Sequence, residues 1–412
     1  MSGLTVAGAR HSWGSRHAEF KRLSSLPILP LIAAIFFVMT FLIKALVDDA
    51  FTRGDVSAAI AYSKYITAGI SCLAALAYAL KRGEHVFVRE FNALVIIVAA
   101  FTVLSVFFQI CTGQFSSSVY VELFKLAMPV VLAYSILNAL SQKAIYRCMV
   151  AVLLASVFGY VLSLMHEGVD VSAILVSEFE NSESASESST FSGIFLVLTF
   201  YFAFFRHQKS WLFLSALCCI LTFKRLAVIA TLFALAAAFF APRLMRTEVP
   251  HGVVVVLKLL TIVAVALWTW MLFPGQNSLF IQIFQDTPSH FTMGRSDVLS
   301  YLLNSGFESY GFGSANEIAV AAFSAPFEMD LTKIAIELTP LAMVLFVCLF
   351  WEVAGTSVWG IVIVGYFMVN MITSDSLTSN FCLTLAYMTC GLVAKSCSTC
   401  SDGRLQEADN AR

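Results

Sequence analysis

Long apolar runs separated by short polar stretches make up most of this chain. A helix that crosses a bilayer needs roughly 20 apolar residues in succession, and the runs are of about that length, although several are shorter. They predict about twelve transmembrane helices. The predicted spans cover residues 27–47, 59–80, 91–111, 119–140, 144–165, 191–205, 211–223, 226–241, 253–273, 338–353, 358–373 and 377–394. The pattern therefore predicts an all-α, polytopic integral membrane protein.

The composition agrees with a chain embedded in a bilayer. Of its 412 residues, 59% are hydrophobic and 12% are charged, whereas about 25% are charged in soluble domains. Residues 27–394 are predicted to form one membrane domain of spans and loops, with tails at 1–26 and 395–412. The net charge of −1 and the absence of a basic tract give no reason to expect nucleic acid as a partner. The ten cysteines lie mostly in apolar runs, so we expect no disulfide framework.

The distribution of Lys and Arg predicts the orientation. Counted on alternate sides of the predicted spans, sixteen lie on the side of both termini, including Arg147 at the start of its span, five lie on the other side, and four lie deeper inside spans. Cytoplasmic loops carry an excess of these cations, so both termini are predicted to be cytoplasmic. The longest interruption between apolar runs, loop 274–337, then faces outward. The cations Lys224, Arg225, Arg295 and Lys333 lie on this outward side against the general trend and require an explanation.

Two of these positions, the Lys224–Arg225 pair and Arg295, are placed to bind the phosphate group of a lipid. Lys224 and Arg225 lie midway through the apolar residues 211–241. Because a charge at the centre of a span costs roughly 2.5 to 3.5 kcal/mol, we predict two short helices that meet at an outward turn. Gly294 and Arg295 open an amphipathic stretch that is expected to lie flat on the bilayer. An arginine at headgroup depth can bind a phosphate through two hydrogen bonds. The alternative for Lys224 and Arg225 is a pair of cations that only reach toward lipid headgroups, and the alternative for Arg295 is a surface cation on an interfacial helix.

Charged side chains also occur at or within the predicted spans. Asp330, Lys333 and Glu337 are spaced i, i+3, i+7, so they share one side of a helix that leads into the next span. Glu122 and Lys125 stand three residues apart in the outer half of another span. Such charges are costly unless they are paired or used. They are candidates for function, with pairing among themselves or helix packing as the alternatives.

Two polar segments complete the candidates. Residues 310–317 read YGFGSANE, a glycine-bearing turn that lets the backbone approach a ligand closely, and a purely structural turn is the alternative. Asn316 and Glu317 close this turn. Residues 177–190 are acidic and lack apolar anchors, which predicts a mobile connector, or else a lid or sugar-contacting loop.

The layout and several motifs together resemble one family. The motifs are Leu221-Thr222-Phe223-Lys224-Arg225-Leu226-Ala227 at the start of a short helix, Gly294-Arg295 and Gly311-Phe312-Gly313 in a late outer loop, and Asp330-Leu331-Thr332-Lys333-Ile334-Ala335-Ile336-Glu337 before the next span. This arrangement resembles the superfamily of O-antigen polymerases and O-antigen ligases, over most of the chain by layout and over a shorter part by motif. Members of this superfamily are bacterial inner-membrane glycosyltransferases that use undecaprenyl-pyrophosphate-linked sugars.

The resemblance implies a C-type glycosyltransferase-like fold whose active site faces the periplasm. By position, Arg225 and Arg295 are expected to bind pyrophosphate, and Asp330 is expected to be catalytic with them. Ligases carry a His-Asn pair near the place of Asp330, and this chain has no histidine there, so the resemblance favours a polymerase. The side chains expected to bind substrate are Lys224, Lys125, Asn316, Glu317, Lys333 and Glu337.

The expected function is polymerisation of undecaprenyl-pyrophosphate-linked repeat units of an exopolysaccharide or O-antigen. The expected partners are this lipid-linked oligosaccharide, the lipid bilayer, and a flippase and a chain-length regulator of the same pathway. The sequence shows no acidic cage for a metal, so we expect a metal-independent reaction without a cofactor. The alternatives are a polysaccharide ligase, and a transporter or flippase that forms no bond.

Overall fold

The computed structural model describes residues 28–52, 57–82, 85–166, 168, 189–205, 208–377 and 379–410. The predicted N-terminal tail at 1–26 and nearly all of the acidic segment 177–190 lie outside these residues. Within the described ranges, regular structure is helical, apart from one antiparallel bridge between Glu248 and Ser357.

The helices follow the apolar runs. Those described before the long loop are α1 (Ile28–Thr52), α2 (Ala58–Arg82), α3 (Val88–Thr112), α4 (Ser117–Ala139), α5 (Gln142–His166), α6 (Ser189–Phe204), α7 (Lys209–Leu221), α8 (Arg225–Phe240) and α9 (His251–Met271). Those described within and after it are α10 (Asn277–Phe284), α11 (Pro288–Phe291), α12 (Arg295–Asn304), α13 (Ser314–Phe323), α14 (Asp330–Glu337), α15 (Pro340–Phe350), α16 (Val358–Thr373) and α17 (Asn380–Asn410).

Each predicted span coincides with a described helix. Among them, six are long and apolar enough to cross a membrane, namely α1 to α5 and α9. The helices α6, α7, α8 and α16, and α15 with the turn that follows it, are apolar but shorter, at 10–17 residues. The chain is therefore a helical membrane protein, as predicted, and the number of crossings beyond six stays a prediction. The predicted break at Lys224 and Arg225 is confirmed, because α7 ends at Leu221 and α8 begins at Arg225.

Contacts of loop 274–337 distinguish one end of the helix bundle from the other. The N–H of Phe312 donates to Ser105 Oγ near the end of α3, at 3.0 Å. Ser116, just before α4, donates its hydroxyl to Glu317 at 2.9 Å. We call this the loop end of the bundle, and the other the opposite end.

At the opposite end, Glu352 joins three helices. Its carboxylate accepts hydrogen bonds from Arg89 at the start of α3 and from Lys258 in α9, while Glu352 itself follows α15. Nearby, the N–H of Val249 donates to the carbonyl of Thr356 at 2.7 Å. These contacts hold the ends of the helices in register.

Helix α4 lies in the interior of the bundle, where it packs against α2, α3 and α17. It contains Pro129, which has no N–H. The carbonyl of Lys125, one turn earlier, therefore lacks the helical hydrogen bond that residue 129 normally donates. Both ends of α4 are otherwise regular, with Ser116 accepting from the N–H of Ser118 at the start.

The long loop folds on a small core of its own. The buried apolar residues of this core are Leu272, just after α9, and the loop residues Phe280, Val298, Leu299, Leu302, Ala315, Ala319, Phe327 and Met329. Helix α12 is the amphipathic stretch predicted after Gly294, and its apolar side is buried in this core rather than turned toward lipid. The loop is thus a folded assembly of short helices that rests on the loop end of the bundle.

Candidate substrate site at the loop end

Helix α14 carries Asp330, Lys333 and Glu337 on one side, as predicted, and all three residues are fully buried. The two Glu337 carboxylate oxygens accept hydrogen bonds from the N–H groups of Gly313, at 2.8 Å, and Ala315, at 2.7 Å. The first N–H groups of a helix have no partner within it, and a carboxylate is favoured there by the helix dipole. Glu337 therefore fastens α14 to the start of α13.

Asp330 fastens the other end of the same helix. Its Oδ2 accepts from the N–H groups of Ser376 and Leu377, at 2.6 Å and 2.9 Å, in the turn between α16 and α17. Its Oδ1 has no hydrogen-bond partner among the described residues. Asp330 is thus enclosed by protein and accepts hydrogen bonds from two backbone N–H groups, and neither of its carboxylate oxygens is exposed to solvent.

Lys333 lies between these two carboxylates without bonding to either. Its Nζ has no hydrogen-bond partner in the described part of the chain and stands 5.3 Å from the centre of the Phe312 ring. The alternative of pairing within the Asp330–Lys333–Glu337 set is therefore not what the structure shows. The carboxylates bind backbone N–H groups, and the ammonium group rests on an aromatic face.

Burial and mutual charge shift the pKa of all three groups. Burial raises the pKa of Glu337 to about 7, against the opposing effect of Lys333. Burial, and then the neighbouring Asp375, raise the pKa of Asp330 well above its usual value. Burial lowers the pKa of Lys333, but Glu337, Asp375 and Asp330 outweigh it, so the net shift is upward. The cluster therefore favours a charged lysine beside carboxyl groups that bind protons readily.

We expect this cluster to make the protein more stable at acid pH. The pKa of Glu337 rises from 4.5 to about 7 on folding, so the proton is bound more tightly in the folded state, and the stabilisation is lost as the pH increases through about 7. Lowering the pH from about 8 to about 5 should raise the thermal midpoint, and Glu337→Gln should flatten the slope. The measurement is the thermal unfolding midpoint in detergent across this pH range, with the exposed Glu308→Gln as the control. An equal slope in Glu337→Gln and the control variant contradicts the assignment.

Glu122 and Lys125 form the predicted ion pair, with Lys125 Nζ 2.6 Å from Glu122 Oε1. The pair lies against the glycine-bearing turn. Gly313 adopts a left-handed conformation with φ of 101°, and a Cβ there would stand 2.7 Å from Glu122 Cγ. Only glycine fits this position without displacement. Glu122 of this ion pair therefore lies against Gly313, whose N–H donates to Glu337.

Asn316 and Glu317 hold the loop in place. The Asn316 side-chain oxygen accepts from the N–H of Phe327 at 3.0 Å. Glu317 accepts from the hydroxyls of Ser116 and Ser118. Hydrogen bonding by Ser118, opposed by partial burial and supported by Ser116, keeps the pKa of Glu317 below its usual value. Of these two predicted substrate ligands, Asn316 ties two parts of the loop together and Glu317 ties the loop to the start of α4.

A cavity of about 630 Å³ opens at the loop end between α1, α2 and α4, within the range of roughly 300 to 1,000 Å³ that small-molecule sites occupy. We call it the loop-end cavity. It is lined by Val47, Asp48, Ala61, Tyr62, Lys64, Tyr65, Tyr120, Val121, Phe124 and Lys125. Tyr62, Tyr120 and Phe124 are about half exposed. The cavity is therefore bordered by side chains on the outer surface of the bundle, where lipid surrounds it.

Among the described residues around the loop-end cavity, cations outnumber carboxylates. Lys44 pairs with Asp48, and Lys64 Nζ stands 3.9 Å from the other Asp48 oxygen. Lys125 pairs with Glu122. Three ammonium groups thus face two carboxylates, and the Lys64 and Lys125 side chains are only 17% and 29% exposed. In such a partly desolvated place the excess positive charge acts strongly on an anion.

The predicted pyrophosphate ligands lie elsewhere. Arg295 donates from Nε and Nη2 to Glu328 Oε2, at 2.9 Å and 2.5 Å, and so ties α12 to the segment before α14. Arg225 is exposed at the first residue of α8, next to Lys224. Neither arginine lines the loop-end cavity. The structure therefore links Lys125 to the α14 cluster through Glu122 and Gly313, whereas Arg295, Lys224 and Arg225 do not line the cavity.

Sequence reasoning missed Lys44, Asp48 and Lys64 as site residues, along with the tyrosines beside them. The available signal was that Lys44 and Lys64 lie inside predicted spans, where an ionisable side chain is a functional candidate by default. Both stand in the outer third of their helices, at the level of Lys125. A comparison of depths along the spans would have grouped these three lysines.

The arrangement can bind an anion through ammonium groups and present aromatic faces to a sugar or a lipid chain. Among the described residues, no group of three or more His, Cys, Asp or Glu is placed to hold a metal ion. We find no match to this chain among protein-family models, curated proteins or solved structures.

Proposed function

We propose that this protein is a glycosyltransferase that polymerises undecaprenyl-pyrophosphate-linked repeat units at the periplasmic face of the bacterial inner membrane. The observation that carries the proposal is the loop-end cavity, where lysines and tyrosines meet at a lipid-facing side of the bundle. A lipid-linked sugar pyrophosphate combines the three properties that this lining suits: negative charge, a sugar and a lipid chain. The chain in this proposal crosses the membrane twelve times in a C-type glycosyltransferase-like arrangement, with the loop end in the periplasm.

The reaction joins a hydroxyl oxygen of one lipid-linked repeat unit to the anomeric carbon of the growing glycan. The bond from that carbon to the pyrophosphate breaks, and undecaprenyl pyrophosphate leaves with the electron pair. Lys64 and Lys125 stabilise the charge that develops on the leaving group. The hydroxyl proton passes to a carboxylate, and Asp48 is our candidate because it lines the cavity directly.

The residues predicted as catalytic take different parts in this proposal. Asp330 is enclosed and bound to backbone N–H groups, so it positions α14. Arg295 supports the loop through Glu328. Arg225 is exposed at the loop end of the bundle, and we assign it to the pyrophosphate of the second lipid-linked substrate, which also carries this group. An arginine fork suits a phosphate.

The direct test supplies the purified full chain, reconstituted in vesicles, with a synthetic undecaprenyl-pyrophosphate-linked oligosaccharide. We expect a ladder of products that differ by one repeat unit on a sizing gel. The same preparation carrying Asp48→Asn controls for contaminating polymerases and is expected to give no ladder. Movement of the lipid-linked sugar across the vesicle without a new glycosidic bond would indicate a transporter, and a single transfer to a different lipid acceptor would indicate a ligase. Either result contradicts the polymerase assignment.

A further inference from the structure

A second cavity lies at the opposite end of the bundle, away from the proposed active site. It measures about 280 Å³ and is lined by Ala203, Phe204, Pro242, Arg243, Met245 and Arg246. We call it the arginine pocket. Its walls are the end of α6 and the turn that follows α8, so it lies just beyond two apolar helices. That is the depth at which lipid headgroups meet a membrane protein.

The turn that carries the arginines is held in place. Met245 is 3% exposed and anchors the turn in the bundle. The carbonyl of Thr247 accepts from the N–H of Val358 at 3.1 Å, beside the bridge between Glu248 and Ser357. The backbone that carries the arginines is therefore already ordered, so less conformational entropy is lost when a ligand binds.

The two guanidinium groups lack a counter-charge among the described residues. Neither Arg243 nor Arg246 forms an ion pair with a carboxylate of the described residues. At the same end of the bundle, Arg89 is paired with Glu352. Arg246 is further ordered by Phe204, whose ring centre lies 5.4 Å from its guanidinium carbon. A pocket with two guanidinium groups that no described carboxylate neutralises, one of them placed over an aromatic ring, is suited to a phosphate.

The surroundings indicate that this phosphate carries acyl chains. Phe240, which precedes the arginines in the sequence, and Leu244, which lies between them, are 89% and 57% exposed. Large apolar side chains with this exposure, next to cations at the end of an apolar helix, suit the boundary between headgroups and acyl chains. Basic pockets between helices on the cytoplasmic side of a membrane bind anionic lipid headgroups. We propose that the arginine pocket binds the headgroup phosphate of an anionic glycerophospholipid, with Phe240 and Leu244 against its acyl chains.

The test uses the full chain in a neutral detergent and measures its thermal unfolding midpoint while phosphatidylglycerol is added. Phosphatidylcholine and inorganic phosphate are the two comparison ligands. We expect phosphatidylglycerol alone to raise the midpoint, because binding to the folded state stabilises it. Equal protection by inorganic phosphate would assign the pocket to a soluble anion and overturn the lipid proposal.

Variants then locate the effect. Arg243→Ala and Arg246→Ala should each weaken the apparent affinity for phosphatidylglycerol by about tenfold or more, as expected for one lost charge-assisted hydrogen bond. Arg246→Lys should also weaken it, because lysine keeps the charge but loses the planar fork and its stacking on Phe204. Lys209→Ala, which removes an exposed cation at the same end, is the matched control and should keep the wild-type response. An equal loss in Lys209→Ala, or a wild-type response in both alanine variants, would show attraction to general positive charge and refute the site.

Discussion

Lys64→Ala and Lys125→Ala are each expected to reduce the yield of polymer by about 10- to 100-fold. Each ammonium group lines the loop-end cavity and is mostly shielded from solvent. A charge-assisted hydrogen bond is worth about 1.5 to 3 kcal/mol. That energy corresponds to roughly 10- to 100-fold in rate when the contact strengthens in the transition state. The measurement is the intensity of the product ladder from equal amounts of reconstituted protein.

Two further variants separate this effect from indirect ones. Lys125→Ala leaves Glu122 without its partner, and the double variant with Glu122→Gln removes that orphaned charge. If Lys125 serves the substrate, the double variant stays defective; if it only neutralises Glu122, activity returns. Lys209→Ala removes an exposed lysine at the opposite end and should keep the full ladder. Full activity in both Lys64→Ala and Lys125→Ala would remove the cavity from the proposed mechanism.

Glu337→Ala is expected to be the most destabilising single change in the loop. Removal of the carboxylate leaves the N–H groups of Gly313 and Ala315 buried without an acceptor. It also leaves Lys333 buried with one neutralising charge fewer. Removing one partner from a buried charged set costs about 3 to 5 kcal/mol. We expect a lower thermal midpoint and less protein in the membrane.

The matched control is Glu308→Ala, which removes an exposed carboxylate from the same loop and should have little effect. Glu337→Gln keeps an oxygen that can accept from one of the two N–H groups, so its loss should be smaller. Combining Glu337→Gln with Lys333→Met removes the uncompensated cation and should recover part of the stability. A midpoint for Glu337→Ala equal to that of Glu308→Ala is the result that would refute this account of α14.

The helices were predictable because their signal is local. A run of apolar residues forms a helix in the bilayer independently of the rest of the chain, so the predicted spans coincide with described helices. The break at Lys224 followed from the cost of burying charge. Helix ends differ by a few residues, as between the predicted span 59–80 and Ala58–Arg82. The length of α17, which continues to Asn410, exceeds the apolar run that predicted it.

The site was less predictable because its contacts join distant positions. The spacing of Asp330, Lys333 and Glu337 gave their shared side correctly. The same spacing also suggested that the three side chains pair with one another. In the structure the carboxylates instead bind N–H groups of residues far away in the sequence, which the spacing could not indicate. Likewise, Lys64 and Lys125 meet at one cavity only because α2 packs against α4. No local pattern contains that information.

Pro129 removes one helical hydrogen bond from α4 just below the loop-end cavity. Because residue 129 donates no hydrogen bond, the part of α4 that precedes it is joined less firmly to the part that follows. The preceding part carries Tyr120, Phe124 and Lys125, which form one wall of the cavity. We expect a small tilt at the proline to move this wall as a unit and to change the width of the opening. In the polymerase that we propose, such a change in width would let one cavity admit glycans of different bulk and release a product longer than the unit that entered.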